Sequence, residues 1–177
     1  MNYVKCFWLD FAWVDNKLQI NYCQVWICLI MKIINKTFEY QTNGGFDFID
    51  ATDDIKSFIK ESDIKDGLVN IQIMHTSAGL IVNENEPLLI GDIKKNLENC
   101  ASIKSDYQHD NFSIRTVNLC DNECANGHSH CQAIHLLVNV VLNLIKGELQ
   151  LGLWQRIMLV ELDRARPRKI QVQIIGE

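Results

Sequence analysis

A chain of 177 residues with 47% hydrophobic and 22% charged residues is ordinary for a folded domain, and it can bury roughly two thirds of its unfolded-chain surface. The formal net charge of -5 provides no broad basic field for nucleic acid, and the longest apolar run falls far short of the roughly 20 residues that span a bilayer. Seven cysteines, none in a Cys-x-x-Cys pair, and no evident secretory signal favour reduced thiols in a cytoplasm over disulfides or a zinc knuckle.

Residues 1–30 differ from the rest. Phe7-Trp8, Trp13, Tyr22-Cys23 and Gln24 to Ile30 are apolar and aromatic with little periodicity, and a cleanly patterned segment begins only at Met31. The expected organisation is an atypical N-terminal extension over 1–30, which need not be native, and one domain over 31–177.

Met31 to Tyr40 predicts a first strand, Asn43-Gly44-Gly45 a turn, and Phe46 to Asp50 a returning strand with period-two alternation. Thr52 is placed to cap a helix with Asp53 and Asp54 in its first turn and Ile55, Phe58 and Ile59 at helical spacing. Asp66-Gly67 ends that unit. Leu68 to Met74 is the clearest strand, carrying His75 at its end, and Leu80 to Val82 is another. Pro87 suits the first position of a helix reaching about Asn99, and residues 101–124 are polar and loop-like. Asn126 can cap a short helix with His130, Ala133, Ile134 and Leu137 on one face. Lys146-Gly147 then turns into a long strand over Leu149 to Leu162, and Arg168 to Ile175 closes the chain. Strands outnumber helices and most connections are too short for parallel crossovers, so the expectation is α+β: a single compact domain whose largely antiparallel β-sheet packs against two or three helices.

All five histidines fall between His75 and His135, and His75, His109 and His130 each sit in a polar segment. Imidazole binds transition metals and moves protons near neutral pH, so separate histidine segments suggest a site gathered from several parts of the fold. Asn83 and Glu84 follow the strand after His75 and would offer a hydrogen-bonding side chain and a carboxylate. Glu84 and Glu86 are equally suited to a solvated helix N-terminus. Two residues apart on a helix, His128 and His130 point in nearly opposite directions, so His130 is expected inward, His128 at the rim, and His135 as a structural residue. Gly152 beside Trp154 permits close approach of a ligand or of another chain, or a bulge with Trp154 in the core. Arg164, Arg166 and Arg168 could bind phosphate two hydrogen bonds at a time, or form an exposed basic turn.

In order, His75-Thr76-Ser77-Ala78, Val82-Asn83-Glu84-Asn85, Tyr107-Gln108-His109-Asp110, Asn126-Gly127-His128-Ser129-His130, Leu151-Gly152-Leu153-Trp154-Gln155 and Glu161-Leu162-Asp163-Arg164 resemble the YjbQ family. That family is described as secondary thiamine-phosphate synthase. The resemblance runs from about Met31 to Gly176. It implies a homotrimer with its site near subunit contacts and a transferase coupling a pyrimidine pyrophosphate to a thiazole phosphate. His75, His109 and His130 would hold a divalent ion, zinc first. Glu84, Asn83 and His75 would be catalytic, and Thr76, Ser77, Trp154, Gln155 and Arg164 would bind a small phosphorylated substrate. Leu153 in place of a threonine, and Leu137-Val138-Asn139 in place of a Gly/Ser stretch, depart from the pattern. The alternative is a non-catalytic trimer that binds a metal or a phosphorylated small molecule. Neither reading involves nucleic acid or membrane.

Overall fold

A computed structural model describes residues 31–177 in full and, before them, the backbone of residues 6–14 and 17–25. Those earlier residues form an antiparallel hairpin, β1 (Cys6–Val14) with β2 (Lys17–Val25), in which Cys6 lies opposite Val25. Whether 1–30 is an extension lies outside the residues described in full.

The domain proper is built on two antiparallel sheets. The larger contains β3 (Lys32–Gln41), β5 (Gly67–Ile73), β7 (Asn139–Ile145), β8 (Glu148–Leu149) and β10 (Pro167–Gly176), in the order β3-β10-β5-β7-β8. The smaller contains β4 (Asp47–Asp50), β6 (Ala78–Asn83) and β9 (Arg156–Glu161), in the order β4-β9-β6. Three α-helices accompany them among the described residues: α1 (Thr52–Ser62), α2 (Pro87–Cys100) and α3 (Gly127–Ala133). The α+β expectation of antiparallel sheet with two or three helices holds.

Period-two alternation decides which side chains meet. Ile170, Val172 and Ile174 of β10 face Val69, Ile71 and Ile73 of β5 across the same inner surface, and Leu80, Ile157 and Leu159 of the smaller sheet close over it with Ile55, Phe58 and Ile59 of α1. The opposite face of the smaller sheet, with Ile81 and Val160, meets Leu97 and Ile93 of α2 and Leu136 beyond α3. The smaller sheet is thus a middle layer, apolar on both faces.

Several local expectations are corrected. Thr52 does not cap α1; Ala51 occupies that position, and the Thr52 hydroxyl accepts the backbone N–H of Ile157 at 2.8 Å, joining the helix to β9. The long strand over 149–162 is broken at 150–155, where Leu153 and Trp154 are exposed, so Trp154 is not a core residue. The helix expected to include Leu137 ends at Ala133, and Asn139–Ile145 form β7 instead. Adjacent β-branched Val140 and Val141, with burial alternating along the segment, favour a pleated strand over a helix. Leu137 exchanges backbone hydrogen bonds with Leu80 at 2.8 and 3.0 Å, which pins this segment to β6. Pro87 does open α2, and the carboxylate of Glu86 accepts from the N–H groups of Leu88 and Leu89 at 2.9 and 2.8 Å. Among the described residues no helix is long and apolar enough to cross a membrane.

Candidate functional site

Four chain segments converge at one end of the sheets. The loop after β5 supplies His75, Thr76 and Ser77; a 3-10 turn, Gln108–Asp110, supplies His109; α3 supplies Asn126 and His130; and the approach to β10 supplies Arg166 and Arg168. With Met74, Arg115, Asn118 and Glu123 they line a pocket of about 490 Å³, in the range that holds small ligands.

The frame of this pocket is an ion pair withdrawn from water. Glu161 and Arg168 are both essentially fully buried, and the guanidinium meets both carboxylate oxygens through Nε and Nη2. The carboxylate also accepts from the Thr42 hydroxyl at 3.0 Å and from the backbone N–H groups of Leu162 and Asp163 at 3.1 and 2.8 Å. Arg168 Nη2 further donates to the Ser77 carbonyl and hydroxyl. Such saturation is what a buried pair needs to offset its desolvation.

Asp110 organises the other wall. One of its oxygens accepts the backbone N–H of Asn126 at 2.9 Å and of Gly127 at 2.8 Å, fastening the turn that carries His109 to the helix that carries His130. The contact is close: a Cβ at Gly127 would lie 2.5 Å from the Tyr107 Cβ, so only glycine fits. The two imidazoles then stand edge to face with centroids 4.7 Å apart.

His75 and His130 are shifted in the same direction. Burial, and then the Arg168 charge, hold His75 below the usual imidazole range. Burial, and then His109, do the same for His130. Both are therefore neutral near pH 7, the form that can take a proton. His75 Nε2 accepts the Lys169 backbone N–H at 2.8 Å, which in the neutral ring puts its proton on Nδ1. His109 Nε2 is buried with no partner.

A family model described as "UPF0047 protein YjbQ-like" matches residues 36–177. The chain belongs to this family. A UPF0047 protein of Methanothermobacter thermautotrophicus is 30% identical over 149 residues, covering 84% of this chain and 96% of the relative. The UPF0047 protein YugU of Bacillus subtilis is 27% identical, covering 80% and 98%. A Sulfolobus solfataricus crystal structure, described as a protein of unknown function, superposes with a TM-score of 0.72 at 32% identity, covering 83% of this chain and 99% of that one.

Within this YjbQ-like frame the expected site residues divide. His75, His109, His130, Thr76 and Ser77 share the pocket. Glu84 and Trp154 line a different one, with Asp50, Glu86 and Arg156. The reason is length: Glu84 follows Ser77 by seven residues of mostly extended chain, roughly 23 Å. Nearby, Asn83 Oδ1 accepts the Glu84 N–H at 2.9 Å, and Gln155 Oε1 accepts the Gly152 N–H at 2.8 Å, so these amides hold local turns. Arg164, expected to bind substrate, is exposed and outside the pocket, whereas Arg166 and Arg168 line it. His128 is likewise corrected: it is buried, its Nε2 3.0 Å from the Ser129 hydroxyl, while His130 lines the pocket. His135 is exposed.

The three-histidine ligand set is not assembled in this conformation. Among the described residues no three His, Cys, Asp or Glu side chains lie close enough to hold one ion. His109 and His130 offer a pair of imidazoles, but His75 gives its Nε2 lone pair to the Lys169 amide. The roles of Asn126, Asp110 and Glu123 carry no sequence signal, whereas Arg166 is legible as a phosphate-binding candidate. A signal for Arg168 is present: it lies two residues before Ile170 and shares the inward face of β10.

Proposed function

We propose that the His–Arg pocket binds a small phosphorylated compound and acts on it as a transferase of the thiamine-phosphate synthase type, with its own histidines moving protons. The observation that carries the reading is a pair of buried, unpartnered nitrogens in one pocket, Nε of Arg166 and Nε2 of His109. Arg166 is a cation under pressure, since burial and then the neighbouring Arg168 disfavour its charge. An oxyanion beside it relieves both effects and takes up the free Nε–H. In the coupling reaction the carbon–oxygen bond to pyrophosphate breaks as the thiazole nitrogen bonds that carbon, and the leaving group departs with the electron pair. Arg166 and Arg115 would stabilise the charge that develops there, and neutral His130 would manage protons at the phosphate oxygens.

The pair His109 and His130 would also hold a divalent ion, zinc by analogy, whose chemistry would be to neutralise phosphate charge; a third imidazole requires His75 to release the Lys169 amide. Trimerisation belongs to the same proposal. It would let Glu84 and Trp154 of one copy approach the histidine pocket of another, although the two clusters are separate within one chain. Reduced thiols, all four described cysteines being free and exposed, suit a cytoplasmic setting. A non-catalytic binder of phosphorylated compounds is favoured by one observation: Glu123 is the only carboxylate lining the pocket among the described residues, and it faces Arg115 at 3.9 Å.

Calorimetric titration with inorganic phosphate decides the first step. Arg166→Ala should abolish binding and Arg164→Ala should leave it within about twofold; equal affinities in the two variants would refute the assignment. Turnover of a pyrimidine pyrophosphate with a thiazole phosphate, lost in His130→Gln, separates transferase from binder.

A further inference from the structure

Asn126 stands at the N-cap of α3, where an asparagine side chain ordinarily accepts a backbone N–H of the first turn. Here it makes no such bond. Asp110 has taken over at this end of the helix by accepting the Asn126 and Gly127 N–H groups, which leaves the Asn126 amide available. That amide has only one possible orientation. Its Nδ2 donates to Asp163 Oδ2 at 3.1 Å, and an ionised carboxylate accepts but cannot donate, so the nitrogen must face Asp163. The carbonyl oxygen, Oδ1, is left buried without a partner on a residue only 5% exposed that lines the histidine pocket. Leaving a buried acceptor unpaired is costly, and Asn126 is not needed there as a cap.

The same Asp163 oxygen also accepts from Arg166 Nη2. Arg166 and Asn126 are therefore held within two hydrogen-bond lengths of each other, roughly 6 Å. One offers an unpartnered donor, Nε, and the other an unpartnered acceptor, Oδ1. The doubly ionised phosphate of a monoester, which has acceptor oxygens and no hydroxyl, satisfies the first and not the second.

We infer that Asn126 is a specificity-determining residue whose side-chain carbonyl accepts a hydrogen bond from a hydroxyl or amino group next to the ligand's phosphate, so that the pocket selects phosphate monoesters bearing a donor group on a neighbouring carbon. The inference rests on the phosphate reading of the pocket. Asp163 is the positioning residue that orients both reading groups at once.

The test compares two ligands that differ by one hydroxyl, 2-hydroxyethyl phosphate and ethyl phosphate, by calorimetry on the full chain, with inorganic phosphate as reference. The wild-type protein should bind the hydroxylated ester about tenfold more tightly, because a site built to pair a donor rejects the analogue that lacks it. In Asn126→Leu the preference should collapse to within about twofold. If the wild-type protein binds phosphate but treats the two esters alike, this inference is overturned and the phosphate reading stands. A preference that survives in Asn126→Leu also overturns it, since the donor is then read elsewhere. If the wild-type protein binds none of the three ligands, both readings fall. The wild-type ratio needs no variant, so the inference stays falsifiable even where Asn126→Leu folds poorly.

Discussion

Asp110 holds Asn126 by its backbone, one carboxylate oxygen accepting the Asn126 N–H at 2.9 Å and the next N–H at 2.8 Å. Two histidines 21 positions apart in the chain are set face to edge by that single side chain, because His109 precedes Asp110 and His130 follows Asn126 by one helical turn.

Removing the clamp should therefore cost both stability and site geometry. Asp110→Ala loses two charge-assisted hydrogen bonds and should lower unfolding free energy by about 2–3 kcal/mol. Phosphate affinity should fall with it, because the His109 turn is released. Urea denaturation and phosphate titration of the same variant check this; a loss under about 0.5 kcal/mol would show that the turn is held by other contacts.

The Glu161–Arg168 pair makes a second prediction, concerning coupling. Either Glu161→Leu or Arg168→Met alone leaves a buried charge unpaired and should cost about 3–5 kcal/mol. The double variant removes both charges and should cost clearly less than the sum of the single losses. Additive losses in a denaturation cycle would mean that the two groups do not act as a unit.

Much of this framework is legible in the sequence, and the failures have physical causes. Leu68–Ile73 reads as a strand because its alternation is strict, and Pro87 marks α2 because its missing N–H costs nothing at a helix start. The β7 strand is obscured by Ala133, Ile134 and Leu137, whose spacing from His130 fits a helix although α3 stops at Ala133. Arg164 is expected in the site and lies outside it because the turn, taken alone, reads as a cluster of charge. Extending the β10 alternation back from Ile174, Val172 and Ile170 puts Arg168 inside, and the same rule on β9 puts Glu161 with Ile157 and Leu159. Asn126 is not assignable from sequence, because its release from capping depends on Asp110, 16 residues away.

Acid should act through Asp50 and Arg156. Partial burial works to raise the Asp50 carboxyl, but hydrogen bonds from Arg156, Thr52 and Asn85 outweigh it and hold the group below the usual carboxylate range. A folded-state value below the unfolded one, about 3.9, means that this stabilisation is present above that pH and disappears as pH falls through the folded value. Arg156→Gln should thus be less stable than the wild-type protein at pH 7, with the difference shrinking below about pH 4. Urea midpoints at pH 7, 4 and 2.5 give the comparison, and a difference that stays constant with pH would exclude Asp50 as the titrating partner.

Self-association should proceed through surface that a monomer leaves open. On the outer face of the larger sheet, Asn35, Gln173, Asn70 and Val141 lie in one row across β3, β10, β5 and β7, and Thr37, Gln171, Gln72 and Asn139 in the next. None of the eight is charged, and exposed Leu68, Val141 and Ile145 lie on the same face. Depletion of charge with retained aliphatic surface is the composition of interface cores. A second exposed apolar site, Trp154 next to exposed Leu153, lines with Glu84 the cleft that does not meet the histidines within one chain. A closed three-fold assembly would cover such surface symmetrically without leaving an open edge for further growth. Light scattering at micromolar concentration should return three times the chain mass, and Val141→Lys, which places a charge in the middle of the neutral rows, should shift the population toward monomer. A wild-type protein that scatters as a monomer would exclude the trimer, and an intact trimer in Val141→Lys would move the contact away from this face.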